Sequence, residues 1–187
     1  MSPELISAIA SVATFVVIAA TAIAAIIQLR HLQSSNQLQA MLAINERWDT
    51  PEMSAADHYV MAELPAKVER AEYTASLLKS RRNRATHPEI FLCDIWEQIG
   101  TMVKYRLISR DPLLDIASGA ISRQWDNLGP TIAILRQAEG PSLYENFEYL
   151  AALSKEWQTA HPVGAYPSGA QRLRLPPPPA RQTKDRS

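Results

Sequence analysis

Cysteine and glycine are scarce in this chain of 187 residues, which carries one Cys and six Gly. The lone Cys93 excludes an internal disulfide. With no second thiol among its neighbours Phe91, Leu92, Ile95 and Trp96 it also excludes a Cys-x-x-Cys metal or redox pair, and a free thiol fits a reducing compartment. The few glycines form no phosphate-cradling loop and no Gly-x-Ser-x-Gly elbow, and no His-Glu-x-x-His is present. His31, His58, His87 and His161 are scattered, with no pair at ligand spacing. No cofactor, no metal and no catalytic residue is therefore expected. Net charge is also absent, with 19 basic against 19 acidic side chains. That zero is a cancellation: residues 31–161 hold 13 basic and 17 acidic groups, net −4, whereas residues 162–187 hold 5 and 1, net +4.

What the chain does have is one long apolar run. Of the 25 residues at positions 5–29, 20 are Ala, Ile, Val, Leu or Phe and none is charged. As a helix this run reaches roughly 37 Å, enough to cross a hydrocarbon core of about 30 Å with some tilt. A cleaved signal peptide is the rival, and Ala22-Ile23-Ala24 offers suitable small residues. However, the preceding region carries Glu4 and no Lys or Arg, and the run is too long. A buried core helix would show a charged face within seven turns. Residues 1–29 are expected to be a transmembrane anchor. Arg30 and Arg47 lie on one flank and no cation lies on the other, so the N-terminus is expected outside and the remainder in the cytoplasm.

At heptad spacing Ser7, Ser11, Thr14, Ile18, Thr21, Ala25 and Gln28 share one stripe, which collects all the hydroxyls and the single amide of the run. Small and polar residues on one face favour close helix approach, so Ser7, Ser11, Thr14, Thr21 and Gln28 are candidates for membrane-helix association. The alternative is that each hydroxyl bonds a carbonyl one turn back in its own helix.

No Gly or Pro occurs between Glu4 and Thr50, so the helix should leave the membrane unbroken, with residues 30–50 as its juxtamembrane extension. Thr50-Pro51-Glu52 reads as a cap with proline at the first helical position, opening a second helix that lasts until Pro65. A charged helix follows from Ala66 to about Ser80, with Val68, Tyr73, Leu77 and Leu78 on its apolar side. Thr86-His87-Pro88-Glu89 starts the best amphipathic helix, carrying Ile90, Phe91, Ile95, Trp96, Ile99, Met102, Val103 and Leu107. Another opens at Ser109 or Asp111, runs through Leu113, Leu114, Ile116, Ile121, Trp125 and Leu128, is interrupted at Gly129-Pro130 and resumes with Ile132, Ile134 and Leu135. Gly140-Pro141 ends it and starts the last helix, with Leu143, Tyr144, Phe147, Leu150, Leu153 and Trp157. Trp48, Trp96, Trp125 and Trp157 are expected to be packing residues. The fold class is all-α, with residues 51–161 forming a small helical bundle. Residues 162–187 are rich in Pro and Arg, cannot bury a core and are expected to be a disordered tail.

The order of motifs resembles a bacterial family of small single-pass membrane proteins defined only as a domain of unknown function. The resemblance rests on Ile27-Gln28-Leu29-Arg30, Arg47-Trp48-Asp49-Thr50-Pro51-Glu52-Met53, Trp96-Glu97-Gln98-Ile99-Gly100, Trp125 before Leu128 and Pro130, and Leu143-Tyr144-Glu145-Asn146-Phe147-Glu148-Tyr149-Leu150. It covers residues 1 to about 157 and leaves the tail outside. It implies membrane anchorage and a helical fold, and it transfers no catalytic residue.

Two charge groupings complete the reading. Lys79, Arg81, Arg82 and Arg84 form the strongest basic cluster, a candidate contact for anionic lipid headgroups. Nucleic acid is not expected, because the cluster lacks aromatic or glycine interleaving and a wider basic face. Asp94, Glu97, Glu145 and Glu148 could meet across the bundle as carboxylates of an enzyme site. The competing account gives them helix caps or ion pairs to Arg106 or Arg123. The leading expectation is a non-enzymatic protein at the cytoplasmic face of a bacterial inner membrane, a scaffold that binds a protein partner or copies of itself. The alternatives are a membrane-bound enzyme built on the four carboxylates, or a sensor of anionic lipid working through the basic loop and tail.

Overall fold

A computed structural model describes residues 2–80 and 83–173, and the described residues are helical with no strand. Helix α1 runs unbroken over Pro3–Trp48, its first turn capped by the Ser2 hydroxyl, which accepts from the Leu5 N–H at 3.4 Å. Its apolar half is exposed, while its last turns rejoin the protein: Ile44 is buried, and Ala40, Met41 and Trp48 pack against the core. Asp49 ends it. The Thr50 hydroxyl then accepts from the Met53 N–H at 3.2 Å and opens α2, Pro51–Ala62, as the Thr-Pro-Glu signal requires.

The single helix expected from Ala66 is instead two pieces, α3 over Leu64–Lys67 and α4 over Ala71–Ser80. The reason is register. Leu64 and Leu77 are both fully buried, yet in one straight helix at about 100° per residue their side chains would point roughly 140° apart. A turn at residues 68–70 brings both inward.

Helix α5, Pro88–Lys104, is the centre of the bundle, with Ile90, Phe91, Leu92, Cys93, Ile95, Trp96, Ile99 and Val103 buried. Its apolar series ends sooner than its periodicity suggests, since Leu107 lies past the helix end and is exposed. Helix α6, Arg110–Glu139, is continuous, so the interruption expected at Gly129-Pro130 does not occur. Pro130 sits on the exposed side together with Asp126, whose carbonyl it cannot bond, while Leu128, Thr131 and Ile132 on the other side are buried. Ile116, expected on the apolar face of α6, is exposed as well.

The last helix, α7, spans Glu145–Ala160 and does not begin at Pro141. Residues 141–144 form a turn that Tyr144 closes in the left-handed region at φ 57°. Helix α7 packs most extensively on α5 and α6, and α2 covers α5 from another side. Aromatic rings weld these contacts: Trp96 stacks on Phe147 at 6.1 Å, Trp125 meets Phe147 edge-on at 5.0 Å, and Trp48 reaches Trp96 at 5.9 Å. In the tail, residues 162–173 carry no helix, and residues 174–187 lie outside those described.

Candidate functional site

The least expected feature of the bundle is a line of polar side chains inside it. Tyr73 comes from α4, His87 and Glu89 from the start of α5, and Thr131 from α6. Tyr73 Oη donates to Glu89 Oε1 at 2.8 Å, and the Thr131 hydroxyl lies 2.8 Å from the same phenol oxygen. His87 Nδ1 is 2.8 Å from Glu89 Oε1, and its Nε2 is 2.9 Å from the Ser76 hydroxyl on α4. A neutral imidazole with its proton on Nδ1 satisfies both contacts, donating to Glu89 and accepting from Ser76. Glu89 Oε2 has no hydrogen-bond partner among the described residues, although Glu89 is 0% exposed.

Burial chiefly, reinforced by the Glu89 charge, pushes the Tyr73 phenol far above its ordinary range. The same two causes raise Tyr59 on the neighbouring α2. Acid, imidazole and hydroxyl follow one another in the order of a nucleophilic triad. His87 and Glu89, at 2% and 0% exposure, are shut away from solvent, and only Ser76 is partly open. The immediate effect of the line is to tie α4 and α6 to the entry of α5. Its sequence signal was weak: His87 and Glu89 flank Pro88 and read as a helix start, and Tyr73 reads as an apolar position.

The residues singled out by sequence fall elsewhere. In the stripe on α1 the hydroxyls of Ser11, Thr14 and Thr21 donate to the carbonyls of Ser7, Ala10 and Val17 at 3.0, 2.8 and 2.8 Å, and Ser7 and Gln28 are exposed on the same helix. Of the basic cluster, Lys79 is exposed, and Arg84 lies 3.5 Å from Asp94 and 4.0 Å from Glu52 with its guanidinium over the Phe91 ring. Arg81 and Arg82 lie outside the described residues.

The four carboxylates do not converge. Asp94 accepts from Tyr144 Oη at 3.2 Å, Glu145 pairs with Lys104 at 3.0 Å and Glu148 with Arg136 at 2.7 Å. These cations replace the Arg106 and Arg123 expected from spacing. Glu97 accepts from Asn146 Nδ2 at 2.6 Å and from the Phe147 N–H at 2.8 Å. It therefore caps the first turn of α7 from a neighbouring helix, where negative charge also complements the helix dipole. Among the described residues no group of three or more His, Cys, Asp or Glu side chains is arranged to hold a metal ion.

Two of the sequence motifs meet at this point. A Cβ placed on Gly100 would lie 2.1 Å from the Asn146 carbonyl oxygen, so only glycine lets α5 and the start of α7 approach this closely. Trp96-Glu97-Gln98-Ile99-Gly100 and Tyr144-Glu145-Asn146-Phe147 thus form one joint, stacked through Trp96 and Phe147 and capped through Glu97. Cys93, on the same helix, is fully buried, and that burial raises its thiol well above the usual range.

A family model described as Domain of unknown function (DUF4760) matches residues 15–157. The matched stretch begins inside the apolar half of α1 and ends in α7, and it includes both halves of the Gly100 joint. No curated protein and no solved structure matches the chain.

Proposed function

Because the chain belongs to the DUF4760 family, whose description assigns no activity, its role has to be argued from its own residues, and we propose that it is a non-enzymatic, self-associating membrane anchor. In this reading α1 crosses a bacterial inner membrane with the N-terminus outside and holds the bundle at the cytoplasmic face. Among the described residues one helix is long and apolar enough to span, and none of its 18-residue apolar window is buried. Removal as a leader fits poorly. The small residues Ala22 and Ala24 lie in mid-helix, the family match starts upstream of them at residue 15, and the far end of the same helix is packed in the core.

The observation that carries self-association is the direction of the stripe. Its heptad spacing continues beyond Gln28 through Leu32, Ser35, Gln39 and Leu42, and Leu32 and Leu42 are 60% and 51% exposed. The bundle-facing side of α1 holds Gln37, Met41 and Ile44, each two positions after a stripe residue and therefore about 200° round the helix. A second copy can pair along the whole stripe without meeting the first bundle. The hydroxyl protons of Ser11, Thr14 and Thr21 are spent inside each helix, so the pairing rests chiefly on close packing of small side chains and on the exposed leucines.

The test is oxidative cross-linking in the native membrane, for which the buried Cys93 is silent. Leu32→Cys and Leu42→Cys should give dimers and Met41→Cys should not, and adding Thr14→Leu with Thr21→Leu should cut the dimer yield several-fold. Equal yields from all three positions, unchanged by the threonine substitutions, would remove the stripe from the account.

A second reading has one observation behind it, the run from Glu89 through His87 to the Ser76 hydroxyl. If that line serves acyl transfer, a fluorophosphonate should label the full chain at Ser76 and Ser76→Ala should abolish the label. An unlabelled wild-type chain leaves the line as a structural tie.

A further inference from the structure

The corner joining α5 to α6 is built unlike the rest of the bundle surface. Arg106 takes the left-handed conformation at φ 58°, and the Leu107 N–H turns back to the Met102 carbonyl at 2.8 Å. Ile108, 2% exposed, pins this reversal, whereas Tyr105 and Leu107 project outward at 67% and 59% exposure. Lys104, Arg106 and Arg110 stand beside them. Between the corner and α1 lies a cleft of about 580 Å³ lined by Gln33, Gln37, Lys104, Arg106, Ser109 and Arg110. Lys104 reaches Glu145 and the half-buried Asn146 at 3.0 Å, and Arg110 reaches its neighbour Asp111 at 3.1 Å, with all four charged side chains exposed. Arg106 makes no ion pair among the described residues.

The position of this corner follows from the way α1 lies along α5. The Ser109 hydroxyl donates to Gln37 Oε1 at 3.2 Å, Ala40 and Ile44 share a groove with Ile99 and Met102, and Trp48 meets Trp96. The two helices are antiparallel, so the C-terminal end of α5 points back toward the apolar half of α1. At about 1.5 Å per residue, Gln33 and Gln37 lie roughly 5 and 10 Å beyond Arg30. The headgroup layer occupies about 5–8 Å on each side of the hydrocarbon. Arg84, by contrast, shares the Phe91 ring with Arg47, roughly 25 Å beyond Arg30. The cation cluster most evident in sequence is the one farther from the apolar run.

We propose that residues 104–110 form a membrane-contact site, in which the cleft takes the phosphate of an anionic phospholipid and Tyr105 and Leu107 enter the bilayer interface. An exposed aromatic and an exposed leucine flanked by cations are the side chains that this layer accommodates. The proposal rests on the reading of α1 as the span.

Full-length protein in nanodiscs tests it, with a nitroxide on Leu107→Cys and a reference label on Leu78→Cys, which is half exposed on α4. With phosphatidylglycerol present, the label at 107 should collide with dissolved oxygen in preference to a water-soluble nickel chelate, and the label at 78 should show the opposite. Discs of neutral phosphatidylcholine should weaken the difference. Arg106→Glu with Arg110→Glu should lower the ratio of embedded to exposed label by about fivefold or more for each cation lost. A label at 107 as aqueous as that at 78, in protein that stays in the disc through an alkaline wash, overturns the contact site and leaves the anchor standing. Release of the chain by that wash overturns the anchor and the contact site together. If inorganic phosphate added to neutral discs reproduces the shift at 107, a membrane lipid is not the source of the phosphate.

Discussion

The two ends of α5 handle polar side chains in opposite ways. At its N-terminal end His87 and Glu89 are sealed in the bundle, bonded to each other, with Ser76 on the far side of His87 and Tyr73, itself bonded to Thr131, on Glu89 Oε1. At its C-terminal end Lys104 and Arg106 stand in solvent, and the residues that ought to be hidden, Tyr105 and Leu107, stand there with them. The same helix is thus flanked by a polar interior at one end and an apolar exterior at the other, each within about one turn of its terminus. Burial of a polar group is tolerated where every donor finds an acceptor, and at the first end only Glu89 Oε2 is left over. Exposure of an apolar group carries little folding penalty and is informative when several such groups gather beside cations. The first end therefore concerns stability and the second concerns what lies outside the molecule.

The largest expected effect breaks the comparison by loosening the stretch between the two ends. Gly100→Val drives a side chain into the Asn146 carbonyl and should destabilise the bundle by about 3 kcal/mol or more, read as a fall in Tm of the protein in mild detergent. Next comes Glu89→Ala, which leaves the Tyr73 hydroxyl and the His87 ring without their acceptor in a dry site. A loss of about 2–3 kcal/mol is expected, with Glu89→Gln losing less because an amide oxygen still accepts, and denaturant unfolding compares the two. The smallest effect sharpens the contrast: Tyr105→Ala with Leu107→Ala should move stability in detergent by no more than about 0.5 kcal/mol. A loss at the corner as large as that at Glu89 would show that it is part of the folded core and erase the distinction.

Local signals in the sequence were reliable wherever local chemistry decides the outcome. The unbroken first helix, its stop near Asp49, the Thr50-Pro51 start and the Pro88 start all follow from caps and prolines acting within one turn. Pro130 misled because its effect depends on which side of α6 faces water, a matter of packing. The break at residues 68–70 misled for a similar reason, since only the need to bury both Leu64 and Leu77 requires it. The polar line was invisible because Tyr73 and Thr131 are separated by 58 positions, and nothing near either one announces the other. Leu107 extended the apolar period of α5 in sequence, but the left-handed Arg106 ends that period one residue earlier. For Glu97 the sequence leaves a shared carboxylate site, a helix cap or an ion pair open, and the helix end it caps can be named only with α7 in place.

The continuous α1 also has a mechanical consequence. A helix without glycine or proline from the apolar run to Trp48 acts as a stiff lever whose load is the bundle. About 27 Å of shaft separates Arg30 from Trp48, so with α1 as the proposed span a change in tilt of about 10°, well inside the range that spans adopt, would swing the far end by about 5 Å. Torque applied in the bilayer would likewise arrive at the Trp48–Trp96 contact with no hinge to absorb it.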